Sequence, residues 1–340
     1  MHLDEFDYGL PDDRIAQTPI EPRDAARLLV DRGEAAPDHR HVRDLDELLG
    51  DGDLLVVNDT KVIPARLRLT RHTGGAAEVL LLEPLDEGRR RWEAMVRPGR
   101  KLKPGERLVG PDGTDLVEIG QRTSAGDTTE VTILGEAEPI DILVRVGEMP
   151  LPPYITAPLE QQDRYQTVYA AEPASAAAPT AGLHFTPELL DRLAARGVET
   201  ARVELVVGLD TFKPVSVDDP RDHPMHSERY RVPAEVLDRC TAARRVVAVG
   251  TTSVRALESA ATFGVLEGRT QLFIHRPYDW KVVDVMMTNF HLPRTTLLMM
   301  IDAFVGPRWR RLYETAIAEQ YRFLSFGDAM LLDRHLEADR

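Results

Sequence analysis

The sequence is poor in cysteine and in long hydrophobic runs. Cys240 is the only thiol among 340 residues, which excludes a disulfide framework and a cysteine-based zinc site. The longest apolar stretch, 297–305, is interrupted by Asp302 and is far shorter than the roughly 20 residues of a membrane span. The first residues, MHLDEFDYGL, are acidic where a signal peptide is basic. We therefore expect a soluble cytoplasmic protein without a membrane partner.

Several common motifs are also absent. The chain has no G-x-G-x-x-G, no G-x-x-x-x-G-K-[ST], no G-x-S-x-G and no kinase set. Positive charge is scarce as well: 42 Lys and Arg against 56 Asp and Glu give a net charge of −14. This balance argues against a general nucleic-acid coat, because binding phosphates requires Lys and Arg.

One region reverses the acidic balance. Between Lys61 and Arg107, twelve positive and six negative residues give a local charge of +6. Solvated strand faces explain this pattern, and so does a surface on which an anionic polymer docks. The same region is rich in short β-type segments separated by turn signals such as RPGRKLKPGE and PDGTD, a pattern typical of a small barrel or sandwich.

The remainder of the chain alternates strand and helix patterns, which predicts an α/β fold. We expect a three-layer α/β domain with a mostly parallel sheet, formed by residues 1–64 and 151–340, and an inserted small β-barrel domain, residues 65–150. The strand DLLVVND before the insert would join the later sheet. Further expected elements are a helix capped by Thr186, a strand in TQLFIH, a helix from Ser253 and a buried helix in RTTLLMMIDAFVGP.

The segment RVVAVGTTSVRALES, 245–259, is a strand that enters a helix through a small polar turn. The first N–H groups of a helix lack partners, so such a turn favours an anion or a nucleotide. The residues that would hold the polar parts of a ligand are Gly250, Thr251, Thr252, Ser253 and Arg255.

Three further stretches place polar residues where ligands bind in α/β sheets, beyond the carboxyl ends of strands. AAPTAGLHFT carries Thr180, Gly182 and His184, MTNFHLP carries Asn289 and His291, and VNDTKV carries Asp59. Each also has a plain structural interpretation as a capped turn or a crossover.

DHPMHSERY brings His223, His226 and Glu228 close together. A metal site is one interpretation, but the spacing lacks the i, i+4 histidine pair of H-E-x-x-H. A turn before a strand, with His226 as a hydrogen-bonding residue, is favoured, and we expect no metal.

Taken together, these motifs resemble one family. LLVVNDTKVIPARL, RYQTVYA, AAPTAGLHFT, MHSE, AVGTTSVRALES, MTNFHLPRTTLLM and YRFLSFGDAML occur in this order, and the chain is similar to the S-adenosylmethionine:tRNA ribosyltransferase-isomerases of queuosine biosynthesis. The resemblance extends from FDYGLPDDRIAQTP to FGDAML and is weakest in the β insert.

The resemblance implies a transferase that moves the ribosyl part of S-adenosylmethionine onto 7-aminomethyl-7-deazaguanine at the tRNA wobble position. The ribosyl group is isomerised, epoxyqueuosine remains in the tRNA, and adenine and methionine leave. S-adenosylmethionine is then a cosubstrate, and no cofactor is permanently bound. The implied partners are tRNAs with GUN anticodons, and we expect a monomer.

This chemistry suggests roles for the candidate residues. A base must take a C5′ proton made acidic by the sulfonium, and adenine needs a hydrogen-bond donor as it leaves. The expected catalytic residues are His184, His226, His291, Asp59 and Glu228. The expected cosubstrate-binding residues are Thr180, Gly182, Gly250, Thr251, Thr252, Ser253, Arg255 and Asn289. In this scheme Arg255 pairs with the methionyl carboxylate.

The β insert is the expected tRNA-docking surface, through Arg66, Arg97, Arg100, Lys101 and Lys103. Three other functions stay open on the sequence: an S-adenosylmethionine-dependent RNA methyltransferase, a non-catalytic RNA-binding protein, and a histidine-metal hydrolase. A methyltransferase usually has a glycine-rich turn after its first strand, where this chain has VVNDTKV.

Overall fold

A computed structural model describes residues 1–99, 101–123, 128–175, 177–207, 215, 217–223, 225 and 227–334. The chain divides into two compact units. The larger unit contains Met1–Thr60, Pro153–Ala171 and Pro179–Arg340, and the smaller unit contains Lys61–Pro152 and Glu172–Ala178.

The described residues form strands and α-helices in the following order. The strands are β1 (Arg27–Val30), β2 (Asp38–His41), β3 (Asp53–Asn58), β4 (Thr60–Val62), β5 (Arg66–Arg71), β6 (Ala76–Pro84), β7 (Arg91–Arg97), β8 (Arg107–Val109), β9 (Asp115–Arg122), β10 (Thr129–Ile133), β11 (Glu172–Ser175), β12 (Glu199–Leu205), β13 (Glu228–Arg231), β14 (Arg245–Val249), β15 (Glu267–Thr270), β16 (Val285–Asn289) and β17 (Ala329–Asp333). The helices are α1 (Leu45–Leu48), α2 (Pro139–Val146), α3 (Pro187–Ala195), α4 (Ala234–Ala242), α5 (Gly250–Phe263), α6 (Thr296–Val305) and α7 (Trp309–Ala318).

The larger unit is built on a nine-stranded sheet in the order β15-β13-β12-β3-β14-β16-β17-β1-β2. Its centre, β12-β3-β14-β16, is parallel. Every residue of β3 is buried, as expected for a strand that is covered on both faces. The prediction that DLLVVND joins the later sheet is confirmed, because β3 pairs with β12 on one side and β14 on the other.

The smaller unit is a closed antiparallel barrel in the order β10-β7-β6-β5-β8-β9, so the predicted α/β fold with a β-barrel is confirmed. Inward-facing residues alternate along its strands, with Leu67 and Leu69 on β5 and Val131 and Ile133 on β10 all buried. β4 and β11 form a separate two-stranded sheet.

The predicted helix caps agree with the structure. Thr186 accepts a hydrogen bond at its side chain from the backbone N–H of Leu189 at 3.1 Å, and α3 begins at Pro187. The predicted buried helix is α6, which Gly306 ends with a φ of +69°. One side of the large sheet packs on a core that includes Leu55, Val57, Val247 and Phe185.

Two predicted elements were wrong. The apolar run TQLFIH is not a strand, because β15 ends at Thr270 and the chain turns there. The Thr270 hydroxyl accepts a hydrogen bond from the backbone N–H of Leu272 at 3.0 Å, so this N–H cannot also pair with a neighbouring strand. Helix α5 begins at Gly250 instead of Ser253, so Thr251, Thr252 and Ser253 form its first turn. Among the described residues, none of the helices has the length and apolarity to cross a bilayer.

Candidate active site

The carboxyl ends of β3, β12, β14 and β16 lie at one edge of the large sheet, since these strands are parallel. Asn58 joins two of them. Its amide nitrogen donates to the carbonyl of Leu205 at 2.9 Å, and its amide oxygen accepts from the backbone N–H groups of Leu205 and Thr60 at 3.3 and 3.2 Å. Asn58 therefore fixes the strand end that carries Asp59.

The Gly250 turn lies against the segment 180–184. Gly250 has a φ of +84°, and a β-carbon placed on it would contact the β-carbon of Ala181 at 3.6 Å. The Ser253 hydroxyl donates back to the carbonyl of Val249 at 2.7 Å, so its proton is not available to a ligand. The Thr252 hydroxyl is buried and has no hydrogen-bond partner among the described residues, and it lies beside the turn.

Asn289, at the end of β16, links Thr180 to His184. The Thr180 hydroxyl donates to the amide oxygen of Asn289 at 3.0 Å. The amide nitrogen of Asn289 lies 3.1 Å from Nε2 of His184 and also donates to the carbonyl of Asp328 at 3.2 Å. Two predicted site residues from one segment, Thr180 and His184, thus form one hydrogen-bonded group with Asn289, which lies more than 100 residues later in the sequence.

Burial, assisted by the positive charges of Arg322, Arg23 and Arg164, lowers the pKa of His184 to about 4. The imidazole is therefore neutral at pH 7. His184 also lines a cavity together with Arg23, Arg164 and the apolar side chains of Leu183 and Phe326.

His291 has different surroundings. Its Nε2 lies 3.0 Å from the Thr288 hydroxyl, its backbone N–H donates to the Tyr313 hydroxyl at 3.0 Å, and its carbonyl accepts from the Tyr8 hydroxyl. Burial lowers its pKa to about 3. Tyr8 and Tyr313 stack edge to face with a centroid distance of 5.1 Å, so His291 is anchored to an aromatic cluster.

Tyr169 packs onto the backbone of Gly182. A β-carbon on Gly182 would lie 2.0 Å from the Tyr169 hydroxyl oxygen and 2.9 Å from Cγ2 of Thr167. The hydroxyls of Tyr169 and Thr167 are buried without hydrogen-bond partners among the described residues. Burial raises the pKa of Tyr169, the negative charge of Asp59 raises it further, and the positive charge of Arg202 opposes the shift. Asp59 pairs with Arg202 at 3.9 Å.

Arg255 and Glu228 form a buried ion pair, with only 6% of each residue exposed. Nη1 of Arg255 donates to Oε2 of Glu228. Nε and Nη2 of Arg255 are buried and have no hydrogen-bond partner among the described residues. One edge of this guanidinium is therefore fixed by a carboxylate, and the other edge is available to an acceptor.

The structure thus groups Thr180, Gly182, His184, Asn289 and Gly250, and it places Arg255 with Glu228. His291 contacts a separate set of residues, and His226 lies outside the described residues. In the part of the chain that the structure describes, no group of three or more His, Cys, Asp or Glu side chains could hold a metal ion.

Two sets can be distinguished among the 13 basic residues of the barrel. Arg68, Arg71, Arg91 and Arg107 form ion pairs with Glu148, Glu106, Glu130 and Glu118 at 2.6 to 3.0 Å. Arg97, Lys101 and Lys103 are exposed and have no ion pair within the described residues. Arg66 is half-buried and donates to the carbonyl of Leu151 at 3.4 Å, and Arg100 is not among the described residues.

The excess of positive charge is local to the first half of the barrel. Over residues 65–150 as a whole, 13 Lys and Arg face 15 Asp and Glu. Any electrostatic attraction for an anionic polymer must therefore come from the exposed set and not from the charge of the whole insert.

Sequence reasoning missed four residues of the site: Tyr169, Arg23, Arg322 and Asp328. Tyr169 occurs in RYQTVYA and Asp328 in FGDAML, motifs that carried the resemblance without suggesting a role. Asp328 accepts backbone hydrogen bonds from Arg27 and Arg322, both at 2.8 Å, and so fixes the carbonyl that Asn289 contacts. No local pattern signals such long-range contacts.

Comparison with known proteins supports this picture. A family model described as a queuosine biosynthesis protein matches residues 3–332. A relative from Symbiobacterium thermophilum named S-adenosylmethionine:tRNA ribosyltransferase-isomerase is 54% identical, with 98% of this chain and 100% of the relative covered. One of the same name from Synechococcus elongatus is 50% identical, with 97% and 96% covered.

A solved structure shows the same relationship. The crystal structure of S-adenosylmethionine tRNA ribosyltransferase from Thermotoga maritima matches with a TM-score of 0.55 and 38% identity, over 96% of this chain and 99% of that chain. The family model matches nearly the entire sequence, and the relatives are at least 50% identical over nearly their full length. The chain therefore belongs to the family of queuosine biosynthesis proteins.

Proposed function

We propose that the protein transfers and isomerises the ribosyl group of S-adenosylmethionine onto 7-aminomethyl-7-deazaguanine at the wobble position of tRNA. The products are epoxyqueuosine in the tRNA, adenine and methionine. The names of relatives that match over their full length support this activity, and those names include S-adenosylmethionine and tRNA. We further propose that it acts as a cytoplasmic monomer on tRNAs with GUN anticodons.

The observation that carries the proposal is a set of buried polar atoms at one edge of the sheet that have no hydrogen-bond partner in the described part of the chain. The hydroxyls of Tyr169, Thr167 and Thr252 and the Nε and Nη2 atoms of Arg255 belong to it. Buried polar groups are nearly always hydrogen-bonded, because an unmade bond costs about 1–3 kcal/mol. A polar ligand that completes these bonds explains why the sequence retains them.

Arg255 and Glu228 suit the amino-acid end of S-adenosylmethionine. A carboxylate that binds the Nε and Nη2 edge of Arg255 would make two parallel hydrogen bonds, the strongest geometry that arginine offers. Glu228, already fixed by Nη1, would then face the ammonium group of the same zwitterion. The four charges would alternate in sign, which compensates the loss of solvation in a buried site.

Neutral histidines suit the chemistry next to a sulfonium. The pKa values of about 4 and 3 keep His184 and His291 uncharged at pH 7, so neither repels the cationic cosubstrate. Asp59 directly follows β3 and pairs with the exposed Arg202 at 3.9 Å, and we propose that its negative charge also stabilises the sulfonium. An enclosed site also protects reactive ribosyl intermediates from water.

We propose that tRNA docks on the barrel through Arg97, Lys101 and Lys103, and that Arg100, which lies in the same stretch of sequence, also contributes. Exposed cations without carboxylate partners can release counterions when they meet phosphates, whereas cations already paired contribute less.

One incubation tests the function. Purified protein is mixed with S-adenosylmethionine and tRNA that carries 7-aminomethyl-7-deazaguanine, and nucleosides and small molecules are analysed by mass spectrometry. We expect epoxyqueuosine with equal amounts of adenine and methionine. S-adenosylhomocysteine would instead identify a methyltransferase, and unchanged substrates with tight tRNA binding would identify a binding protein.

A further inference from the structure

Asn289 determines which ring nitrogen of His184 carries the proton. A backbone carbonyl can only accept, so the Asn289 atom that lies 3.2 Å from the carbonyl of Asp328 is the amide nitrogen. The contact of Thr180 with the amide oxygen agrees with this orientation. Nε2 of His184 therefore faces an N–H donor at 3.1 Å and must accept, which leaves the proton on Nδ1.

A histidine in this state donates and does not take a proton. Its one lone pair is occupied by Asn289, and no described residue accepts a hydrogen bond from Nδ1. Protonation to imidazolium is opposed by burial and by the charges of Arg322, Arg23 and Arg164. His184 is thus unsuited to be the base that removes the C5′ proton.

The cavity beside His184 combines apolar walls with positive charge. Ile20, Leu183 and Phe326 supply apolar surface, and Arg23 and Arg164 lie at the same cavity. Arg23 donates to the carbonyls of Gln166 and Asp163 at 2.7 and 3.1 Å, so backbone carbonyls hold its guanidinium, and none of the described carboxylates forms an ion pair with it. Arg164 pairs with the exposed Glu21 at 2.6 Å.

The cavity has a volume of only about 10 Å³, so its walls must move apart to admit a purine. We propose that it opens to bind the adenine of S-adenosylmethionine and that Nδ1–H of His184 donates to a ring nitrogen of adenine as it leaves. The inference rests on the proposed function. Planar heterocycles suit apolar walls with a few fixed donors, and a departing purine gains electron density that an N–H donor and nearby arginines stabilise.

The step balances without a proton transfer from the protein. The bond between C1′ of the ribose and N9 of adenine breaks, and its electron pair leaves with adenine. A lone pair on a ribose oxygen then bonds to C1′ in place of the lost electron pair. His184 keeps its proton throughout, and adenine takes one from water after departure. Asn289 is a positioning residue, because it acts only through the tautomer of His184.

Two substitutions of His184 separate the donor from a general base. In His184→Asn the side-chain amide can place an N–H near the Nδ1 position, whereas in His184→Gln it reaches the Nε2 position. We measure adenine release in a single turnover with the modified tRNA. We expect His184→Asn to stay within about tenfold of the parent rate and His184→Gln to lose about a hundredfold or more. Equal losses in the two variants would overturn the proposal.

Two further measurements complete the test, the first on the parent protein and the second on the parent and on His184→Gln. In ¹⁵N NMR, we expect Nδ1 of His184 to be protonated and Nε2 to be unprotonated between pH 6 and 8; the opposite tautomer would overturn the proposal. The second uses 3-deaza and 7-deaza analogues of S-adenosylmethionine, each of which lacks one ring acceptor. In the parent, the analogue that lacks the acceptor of His184 should react more slowly than the natural cosubstrate. In His184→Gln we expect this rate difference between analogue and natural cosubstrate to be at least tenfold smaller.

Failure of this inference is distinguishable from failure of the proposed function. If the parent protein makes epoxyqueuosine while both analogues show the same rate ratio in the parent and in His184→Gln, the function stands and the adenine site is wrong. If the parent protein releases no adenine at all, the proposed function itself fails.

Discussion

The hydroxyl oxygen of Tyr169 occupies the space where Gly182 would carry a β-carbon, at a distance of 2.0 Å. The glycine is therefore required by its neighbour and not by its own backbone angles. We predict that Gly182→Ala displaces Tyr169, lowers the free energy of unfolding by about 1–3 kcal/mol and reduces ribosyl transfer at least tenfold. Urea denaturation and the mass-spectrometric assay measure the two effects.

Gly9→Ala is the matched control, because no atom lies within 4 Å of a β-carbon there. Tyr169→Phe supplies the reverse test. It removes a buried hydroxyl without a hydrogen-bond partner among the described residues, so the double variant Gly182→Ala with Tyr169→Phe should regain part of the lost stability. A Gly182→Ala protein as stable as the Gly9→Ala protein would contradict the close packing.

Arg255 is predicted to control the affinity for S-adenosylmethionine. Arg255→Ala should raise KM for the cosubstrate about tenfold to a hundredfold, since it removes a charge-assisted hydrogen-bond fork. Arg255→Lys should raise KM less, because it keeps the charge and loses the fork. Arg239→Ala is the control, as Arg239 is paired with the exposed Glu199 on the surface. Thermal unfolding first shows that each variant is folded, and steady-state kinetics then give KM for the cosubstrate. An unchanged KM in Arg255→Ala would refute the head-group site.

The exposed cations of the barrel are predicted to bind tRNA phosphates. The triple change Arg97→Gln, Lys101→Gln and Lys103→Gln should weaken tRNA binding and reduce the slope of log K against log salt by about 2 to 3, or roughly 0.7–0.9 per lost contact. Filter binding across a salt series measures both quantities.

The control triple is Arg68→Gln, Arg91→Gln and Arg107→Gln. It changes the net charge by the same amount but removes cations already paired with carboxylates. Identical salt slopes for the two triple variants would show that net charge, and not the exposed set, governs binding.

The two buried histidines predict a loss of stability in mild acid. Their folded-state pKa values, about 4 and about 3, lie below the unfolded value of about 6.5, so the unfolded chain takes up protons first as the pH falls. The stabilisation is complete above pH 6.5 and declines toward the folded values. At pH 5 each histidine should have lost about 2 kcal/mol.

His291→Asn isolates this effect. Its free energy of unfolding should fall less than that of the parent between pH 7.5 and pH 5, by about 2 kcal/mol, in urea denaturation. A parent-like slope in His291→Asn would mean that the imidazole is not held neutral.

Local patterns predicted much of the fold because local physics decides it. The Thr186 cap, the Gly250 turn and the apolar run of β3 follow from side-chain hydrogen bonding, backbone freedom and burial. The run TQLFIH failed because a single hydroxyl, that of Thr270, diverted the next backbone donor. An apolar run alone does not reveal such competition.

The candidate site was predicted as a set of strand-end motifs but not as a geometry. Sequence analysis named Thr180, His184 and Asn289 without any means of showing that they bond to one another. Asp328 and Arg23 escaped notice because their roles depend on partners more than 100 residues away. Contacts of that range arise from topology, which periodicity and spacing do not encode.

The position of β3 between β12 and β14 has a consequence for biosynthesis. A ribosome synthesises β3 before the barrel, and it synthesises both neighbours of β3 only after the barrel. The Asn58 amide therefore cannot form its hydrogen bond until a carbonyl 147 residues further along the chain has been made. The barrel can close while the large sheet still lacks its central strand pairs. During this time the apolar strand β3 is exposed to solvent. Contacts of such high sequence separation form slowly, so assembly of the sheet is the step at which a nascent chain depends most on chaperones.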